Sequence, residues 1–224
     1  SASMSEVSAR VKRATEKLRA AEAMAALVGL RDASFMAGRE AAREQAWVDL
    51  GMYYDHDWTA DGPITRDARA AWQRERAAGI TTYVDTLFDE AKAALGAMVA
   101  KTSSNPQMFV FNSLGWTRTG EADIPFPESD DVRVIDSSTG LEAPSQKVKN
   151  GGTAYLSIWA QSVPPLGYKT FEIAPGAGTP GCPPPAAGPP PRAASRAPAS
   201  RRARRRAGTG RPGRTTRRAG RTRS

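Results

Sequence analysis

The sequence is poor in the residues that build disulfides and metal sites. Its 224 residues include one cysteine, Cys182, and one histidine, His56. A single cysteine excludes an internal disulfide and a zinc site made of several cysteines. A single histidine excludes a two-histidine metal site built by this chain alone. The lack of disulfides favours the cytoplasm, although the compartment stays open.

Long apolar segments are also missing. No uninterrupted apolar run approaches the roughly 20 residues that a membrane-spanning helix needs, so no membrane partner is expected. The first four residues, Ser1 to Met4, lack the apolar core of a signal peptide. Because position 1 is not a methionine, we expect the chain to begin inside a longer protein.

Acidic residues are absent from the last 50 positions. Residues 175–224 contain 13 arginines and no Asp, Glu or Lys. The remaining 19 Lys and Arg face 23 Asp and Glu over residues 1–174, which gives that part a net charge of −4. The formal charge of +9 therefore comes from a basic tail on a mildly acidic body.

The basic tail has two interpretations. It uses only Pro, Gly, Ala, Arg, Ser, Thr and one Cys, so it has no apolar surface to offset chain entropy and should be disordered. All seven residue types have codons with G or C at the second position, and the composition changes abruptly after Ala174. These features favour a frameshifted gene end. The alternative is a nucleic-acid-binding tail whose arginines contact phosphates.

Three helices are predicted in the first half of the chain. Apolar residues recur at steps of three and four from Val7 to Val28, which is a helical stripe. A second helix is expected to begin near Asp32 or Ser34 and to end around Tyr54, and a third to run from about Asp67 to Ala100. Apolar stripes of this kind must be buried, so residues 1–104 are predicted to form a three-helix bundle. The inward positions expected for the second helix are Phe35, Ala42, Ala46, Trp47 and Leu50.

The second half of the chain predicts strands. Short apolar or alternating segments occur near residues 108–111, 122–126, 132–134, 155–159 and 168–173, separated by turn signals. Five strands at this spacing indicate an antiparallel β-sandwich over residues 105–174. If the reading frame is lost after Ala174, the sandwich is truncated and its last edge should lie open. The predicted fold is thus a helical bundle, a truncated sandwich and a disordered tail.

One stretch combines the residue types of a metal site. Asp55, His56 and Asp57 follow the second predicted helix, where side chains can project into a cleft, and imidazole and carboxylate groups suit zinc. A surface ion pair or a helix cap is the alternative interpretation. No glycine-rich phosphate loop, Gly-x-Ser-x-Gly or His-Glu-x-x-His motif occurs. Trp47, Trp72 and Trp159 lie on the predicted apolar stripes, which favours core packing over stacking on sugars.

Three segments resemble glycoside hydrolase family 38, the retaining α-mannosidases. Residues 46–57, with Asp55-His56-Asp57 at their end, resemble the family's helix leading into its His-Asp motif. Residues 109–118, Phe-Val-Phe-Asn-Ser-Leu-Gly-Trp-Thr-Arg, are similar to the segment that opens its β-domain. Residues 163–171, Val-Pro-Pro-Leu-Gly-Tyr-Lys-Thr-Phe, resemble a recurring phrase of the same domain. The three segments occur in the family's order.

The resemblance implies a function and a site. It implies hydrolysis of α-mannosidic bonds with retention, by two carboxyl groups and a zinc ion that grips sugar hydroxyls. It makes His56 a zinc ligand and Asp57 a residue that binds the sugar, the partner being an α-mannoside or a mannose-containing glycan. The nucleophile and the other ligands would lie in an N-terminal α/β domain that this chain does not contain. The chain is therefore expected to be a fragment with no catalytic residue and no activity alone; a non-catalytic carbohydrate-binding relative is the other alternative.

Overall fold

Three helices precede seven strands in the computed structural model of the chain, which describes residues 4–55, 64–127 and 131–178. The helices are α1 (Ser5–Gly29), α2 (Glu40–Tyr54) and α3 (Arg66–Met98). The strands are β1 (Gln107–Asn112), β2 (Arg118–Pro125), β3 (Val132–Asp136), β4 (Glu142–Ala143), β5 (Ser145–Asn150), β6 (Thr153–Val163) and β7 (Gly167–Pro175). The mixed fold of a helical bundle and antiparallel sheets is as predicted.

The helices pack through the apolar stripes that the sequence shows. Val11, Leu18 and Val28 of α1 are buried, as are Ile80 and Val84 of α3. Leu50 and Tyr53 of α2 belong to one apolar cluster with Val11 and Leu18 of α1 and with Ile80 and Val84 of α3, so all three helices share one core. Thr65 caps the start of α3, because its Oγ1 accepts a hydrogen bond from the Ala68 N–H at 3.2 Å. The predicted three-helix bundle is confirmed within these residues.

The predicted start of the second helix is wrong. Residues 33–38 form turns, and α2 begins only at Glu40. Asp32 does cap, but it caps a turn: its Oδ1 accepts hydrogen bonds from the Ser34 N–H at 3.0 Å and the Ser34 hydroxyl at 2.6 Å. Gly38 then adopts a left-handed φ of 76°, which ends any helical path before α2.

The core-packing prediction for the tryptophans fails at one position. Trp47 is 47% exposed, and its indole N–H donates to Glu22 on α1 at 3.0 Å. Ala42 is also exposed, while Ala46 and Leu50 are buried as expected and Phe35 is half-buried. The buried face of α2 is therefore rotated away from Trp47 towards Asp49 and Tyr53. Trp72 and Trp159 are half-buried.

The strands form two antiparallel sheets. Four strands pair in the order β1-β7-β3-β4, and three pair in the order β2-β6-β5. Residues from both sheets, including Val134, Phe171, Leu156 and Ile158, fill one apolar core between them. The sandwich is confirmed, with β4 and β5 in addition to the five predicted strands.

The last strand is not an edge. β7 pairs with β1 on one side and with β3 on the other. The expectation that a sandwich truncated after Ala174 leaves its last edge open stays a prediction. The outer strands of the two sheets are β1, β4, β2 and β5.

The β1–β7 pair lies between the helices and the second sheet. Phe109, Phe111 and Tyr168 pack against a helical cluster that contains Met24 and Leu87. Met108 and Val110, the alternate residues of β1, pack instead against the core of the sandwich. Because side chains alternate across a strand, β1 uses both faces, and the described molecule has three layers. The proposed division into domains at residues 104 and 174 stays a prediction.

No described helix is long and apolar enough to cross a membrane. The predictions made for residues 179–224, including disorder of the tail, lie outside the described residues.

Candidate functional site

The two predicted site residues, His56 and Asp57, lie outside the described residues. The described chain leaves α2 at Asp55 and resumes at Ile64, two residues before α3. The structure therefore describes the ends of the two helices on either side of the His-Asp motif. The zinc-ligand role of His56 and the sugar-binding role of Asp57 stay predictions.

The end of α2 is anchored to α1 by tyrosine. Tyr53 is buried, and its hydroxyl lies 3.0 Å from the Ser8 hydroxyl of α1. Tyr54, which is exposed, meets the Tyr53 ring edge-on, with 5.6 Å between ring centres. Asp55 then turns into extended backbone, while its N–H still donates to Gly51 O at 3.1 Å. The residues that precede position 56 are thus held in place against α1.

A buried carboxylate ties α2 to α3 beneath this point. The Asp49 side chain is 6% exposed, and its Oδ1 accepts hydrogen bonds from Arg76 Nη1 of α3 and Gln45 Nε2 of α2, both at 2.8 Å. Arg76 also pairs with Glu75 and lies 5.9 Å from the centre of the Trp72 ring. The hydrogen bond to Asp49 is the main cause that raises the pKa of Arg76 above its ordinary value, against the effect of burial.

Gly79 makes room for that carboxylate. A Cβ atom at Gly79 would lie 3.1 Å from Asp49 Oδ2, which is tighter than an ordinary contact. The ion pair thus joins the two helices that flank residues 56–63, and a Cβ at Gly79 would press on its carboxylate. The pair was not predicted from the sequence, although an acid on the buried face of α2, between Ala46 and Tyr53, is a visible signal for it.

A cavity of about 460 Å³ lies between α2 and α3. Asp49, Gln45, Arg39 and Tyr83 are among the residues that line it. The Tyr83 hydroxyl is buried and has no hydrogen-bond partner among the described residues. Burial is the main cause that raises its pKa, and the nearby Glu22 carboxylate adds to the effect. The cavity therefore offers polar groups for binding.

The described residues do not hold a metal by themselves. Over residues 4–55, 64–127 and 131–178, no group of three or more His, Cys, Asp or Glu is close enough together to bind an ion. A catalytic zinc needs about three protein ligands.

Two segments singled out in the sequence meet in space. Asn112, at the end of β1, is buried, and its Nδ2 donates to the backbone oxygens of Trp116 at 2.7 Å, Pro164 at 3.1 Å and Val163 at 3.2 Å. Its Oδ1 accepts the N–H of Leu114 at 3.1 Å. One buried amide thus joins residues 109–118 to residues 163–171.

The backbone around this amide is unusual on the β6–β7 side. Leu166 has a φ of 46°, in the left-handed region that favours glycine, and its N–H donates to Leu114 O at 2.9 Å. Ser162 has a φ of 52°, and its N–H donates to Thr119 Oγ1 at 2.9 Å. These hydrogen bonds hold both residues in a conformation that L side chains seldom adopt. The two loops therefore form one fixed corner of the sandwich.

Comparisons with known proteins find a similar fold among solved structures. No protein-family model matches the sequence, and no curated protein sequence matches it. Solved structures do match. The chain shares its fold with glycosyl hydrolase family 38. A member of that family from Enterococcus faecalis matches with a TM-score of 0.55 over 80% of this chain and at 18% identity. An alpha-mannosidase from Enterococcus faecalis V583 matches with a TM-score of 0.57 over 75% of the chain, also at 18% identity.

The match covers a small part of the family 38 structures. The chain spans about a quarter of their length, 25% and 23% of the two chains. The resemblance in fold includes most of the described residues. It supports the arrangement of a helical bundle before a β-sandwich that was expected for family 38.

Proposed function

We propose that the chain is part of a retaining, zinc-dependent α-mannosidase of family 38, and that it has no activity by itself. The observation that carries the proposal is the likeness in fold to two family 38 structures, one of them an alpha-mannosidase. The substrate would then be an α-mannoside or a mannose-containing glycan.

The internal geometry supports the same proposal. The resemblance in sequence rests on three separate segments, and the hydrogen bonds of Asn112 join two of these into one structural unit. The third segment ends at the exit of α2, which Tyr53 and the Asp49–Arg76 pair fix against α1 and α3. A metal ligand at His56 would thus start from a rigid support, as binding sites require.

We assign to the residues of this chain only part of the zinc site. The described residues offer no three-ligand cluster, and the sequence has no second histidine. The proposal therefore assigns to this chain one ligand, His56, and one sugar-binding carboxylate, Asp57. The two carboxyl groups that retaining hydrolysis needs would come from the part of the family 38 fold that the chain does not span.

A chimeric enzyme tests the proposal. In the Enterococcus faecalis V583 alpha-mannosidase, residues 4–178 of this chain would replace the segment that they match. We expect hydrolysis of an aryl α-mannoside and bound zinc on metal analysis. The His56→Ala variant of the chimera should lose both, because a metal ligand is gone, while Glu44→Ala, an exposed position on α2, should change neither.

The isolated chain provides the complementary measurement. We expect no turnover of the aryl α-mannoside by the full 224-residue chain, with or without added zinc. Zinc-dependent turnover by that chain would contradict the proposed division of the site. A chimera that keeps its activity and its zinc in the His56→Ala form would contradict the role of His56.

A further inference from the structure

The turn between β5 and β6 contains an asparagine followed by two glycines. Asn150 ends β5 and pairs with Thr153 of β6, so Gly151 and Gly152 form a two-residue loop. Their φ angles are 55° and 85°, the combination of a type I′ turn, which favours glycine at both positions. Asn150 and both glycines are exposed. An Asn-Gly sequence therefore lies at the tip of a hairpin.

An asparagine side chain reacts with the backbone nitrogen of the residue that follows it when the two can meet, and asparagine is accordingly a thermolabile residue. The nitrogen bonds to the Cγ carbon, the Cγ–Nδ2 bond breaks, and ammonia leaves with the proton of the backbone nitrogen. The product is a five-membered succinimide ring, which water opens at one of its two carbonyl carbons. One opening gives aspartate. The other gives a β-linked aspartate, in which the main chain runs through Cβ and is one carbon longer.

Asn150 and Gly151 meet the conditions for this reaction. Gly151 lies outside both strands, and no backbone hydrogen bond among the described residues uses its N–H. A Cβ atom at Gly151 would have no neighbour within 4 Å, so there is open space around the attacking residue. Glycine also allows the backbone rotation that brings its nitrogen to the Cγ carbon of Asn150.

The other two asparagines of the sequence lack these conditions. Asn105 is followed by Pro106, whose nitrogen carries no hydrogen and cannot form the ring. Asn112 is followed by Ser113, but Asn112 is buried and its Nδ2 donates to Trp116 O at 2.7 Å. The hydrogen bonds of Asn112 hold its amide in place. Sequence and fold together thus leave one reactive asparagine out of three.

We propose that Asn150 is a site of spontaneous deamidation, with Gly151 as the attacking residue and water as the co-reactant. Conversion places a negative charge on β5, a strand whose charged side chains are Lys147 and Lys149. The β-linked product also lengthens the main chain in the turn that sets the register of β5 and β6. We expect it to weaken their pairing, since loop length selects the turn type of a hairpin. This modification does not depend on the proposed mannosidase function.

Peptide mass spectrometry tests the site in the full chain. The protein would be kept in a mildly alkaline buffer at body temperature and digested with trypsin at intervals. The tryptic peptide 150–169 should gain one mass unit with time, and the peptide 102–118, which carries Asn105 and Asn112, should keep its mass. A synthetic peptide of residues 145–158 is the control. If it converts while the folded chain keeps Asn150, the fold protects this amide and the proposal is overturned.

Asn150→Gln is the matched variant. It keeps an amide at the same exposed position, but the ring would then need six atoms and would close more slowly, so the peptide 150–169 should keep its mass. After equal storage, the unsubstituted chain should unfold at a lower urea concentration than Asn150→Gln, whereas fresh samples should differ little. An equal gain in mass in Asn150→Gln, or a gain in the peptide 102–118, would place the reaction elsewhere and contradict the assignment.

Discussion

At the scale of single residues, the strongest constraint is a buried amide. The Nδ2 of Asn112, with its two hydrogens, lies within hydrogen-bonding distance of three backbone oxygens, and its Oδ1 accepts one N–H, so this side chain joins two loops. Backbone polar groups that lose their partner in a buried place destabilise the fold. Position 112 therefore determines how the corner of the sandwich is built.

Replacing this amide should destabilise the sandwich. We expect Asn112→Ala to lower the free energy of unfolding by about 1–3 kcal/mol, the usual cost of leaving buried polar groups unpaired. Asn112→Asp should cost more, since a carboxylate would face three carbonyl oxygens. Urea unfolding measures both. Asn150→Ala, at an exposed position at the end of β5, is the control and should change stability little.

A second residue, Asp136, makes part of the stability depend on pH. Burial by itself would raise the pKa of this carboxyl group, but hydrogen bonds from Lys169 Nζ and from the Ser138 N–H and hydroxyl outweigh it and lower the pKa below its ordinary value. A carboxyl group whose pKa is lowered in the folded state stabilises that state above its unfolded pKa of about 3.9, and the contribution is lost as the pH falls through the folded pKa.

The expected result is a pH-dependent difference between two proteins. The advantage in unfolding free energy of the unsubstituted chain over Asp136→Asn should be constant above about pH 5 and should shrink as the pH falls below about 4. Chemical unfolding at a series of pH values measures it. Parallel stability curves down to the acid limit would show that the Lys169 and Ser138 contacts do not lower this pKa.

At the scale of elements, an ion pair joins α2 to α3. The Asp49 side chain is buried, whereas 22% of the Arg76 side chain is exposed to solvent. We expect Asp49→Ala to cost about 2 kcal/mol of unfolding free energy, below the roughly 3–5 kcal/mol of a fully buried pair, because Arg76 can still reach water and Glu75. Thermal or urea unfolding measures the loss.

An exposed pair of the same kind is the control for this prediction. Lys17 and Asp85 lie 2.6 Å apart between α1 and α3, with side chains 32% and 51% exposed. Asp85→Ala should cost less than about 1 kcal/mol, since solvent screens exposed ion pairs. Equal losses for Asp49→Ala and Asp85→Ala would mean that the buried pair does not hold the two helices together.

Much of the element order could be predicted from the sequence. The helix stripes of α1 and α3 and the five strand segments were visible because apolar residues there follow the local period of 3.6 or 2. β5, Ser-Gln-Lys-Val-Lys-Asn, was missed because it has one apolar residue, and its place is fixed by pairing with β6. The predicted start of α2 was wrong for a similar reason. Asp32 is a good cap, but Gly38 turns the chain before a helix can continue.

At the scale of the whole molecule, the described cores lie within residues 4–178. The three apolar clusters use residues of the helices and of β1 to β7. Residues 179–224 contain no Leu, Ile, Val, Met, Phe, Tyr or Trp, so we expect a chain truncated after Gly178 to unfold at the same denaturant concentration as the full chain. A lower midpoint for the truncated chain would show that residues 179–224 contribute to stability.

The same truncation tests the nucleic-acid alternative. Residues 175–224 carry 13 arginines and no acidic residue, whereas residues 1–174 have a net charge of −4. The full chain should bind duplex DNA without sequence preference and lose affinity steeply with salt, because binding arginines release counterions from the phosphates. The truncated chain should not bind. DNA binding that survives truncation would place the contact in the body of the protein.

The sequence by itself determined the helix stripes, most strands, the uneven charge and the presence of a single histidine, because these depend on residue type and local period. Only the tertiary structure decided that β7 lies inside its sheet and β1 at its edge, that Asn112 joins two distant loops, and that Asp49 meets Arg76 across two helices. Each of these depends on which distant residues become neighbours, and local patterns do not specify the partner of a strand or of a buried charge.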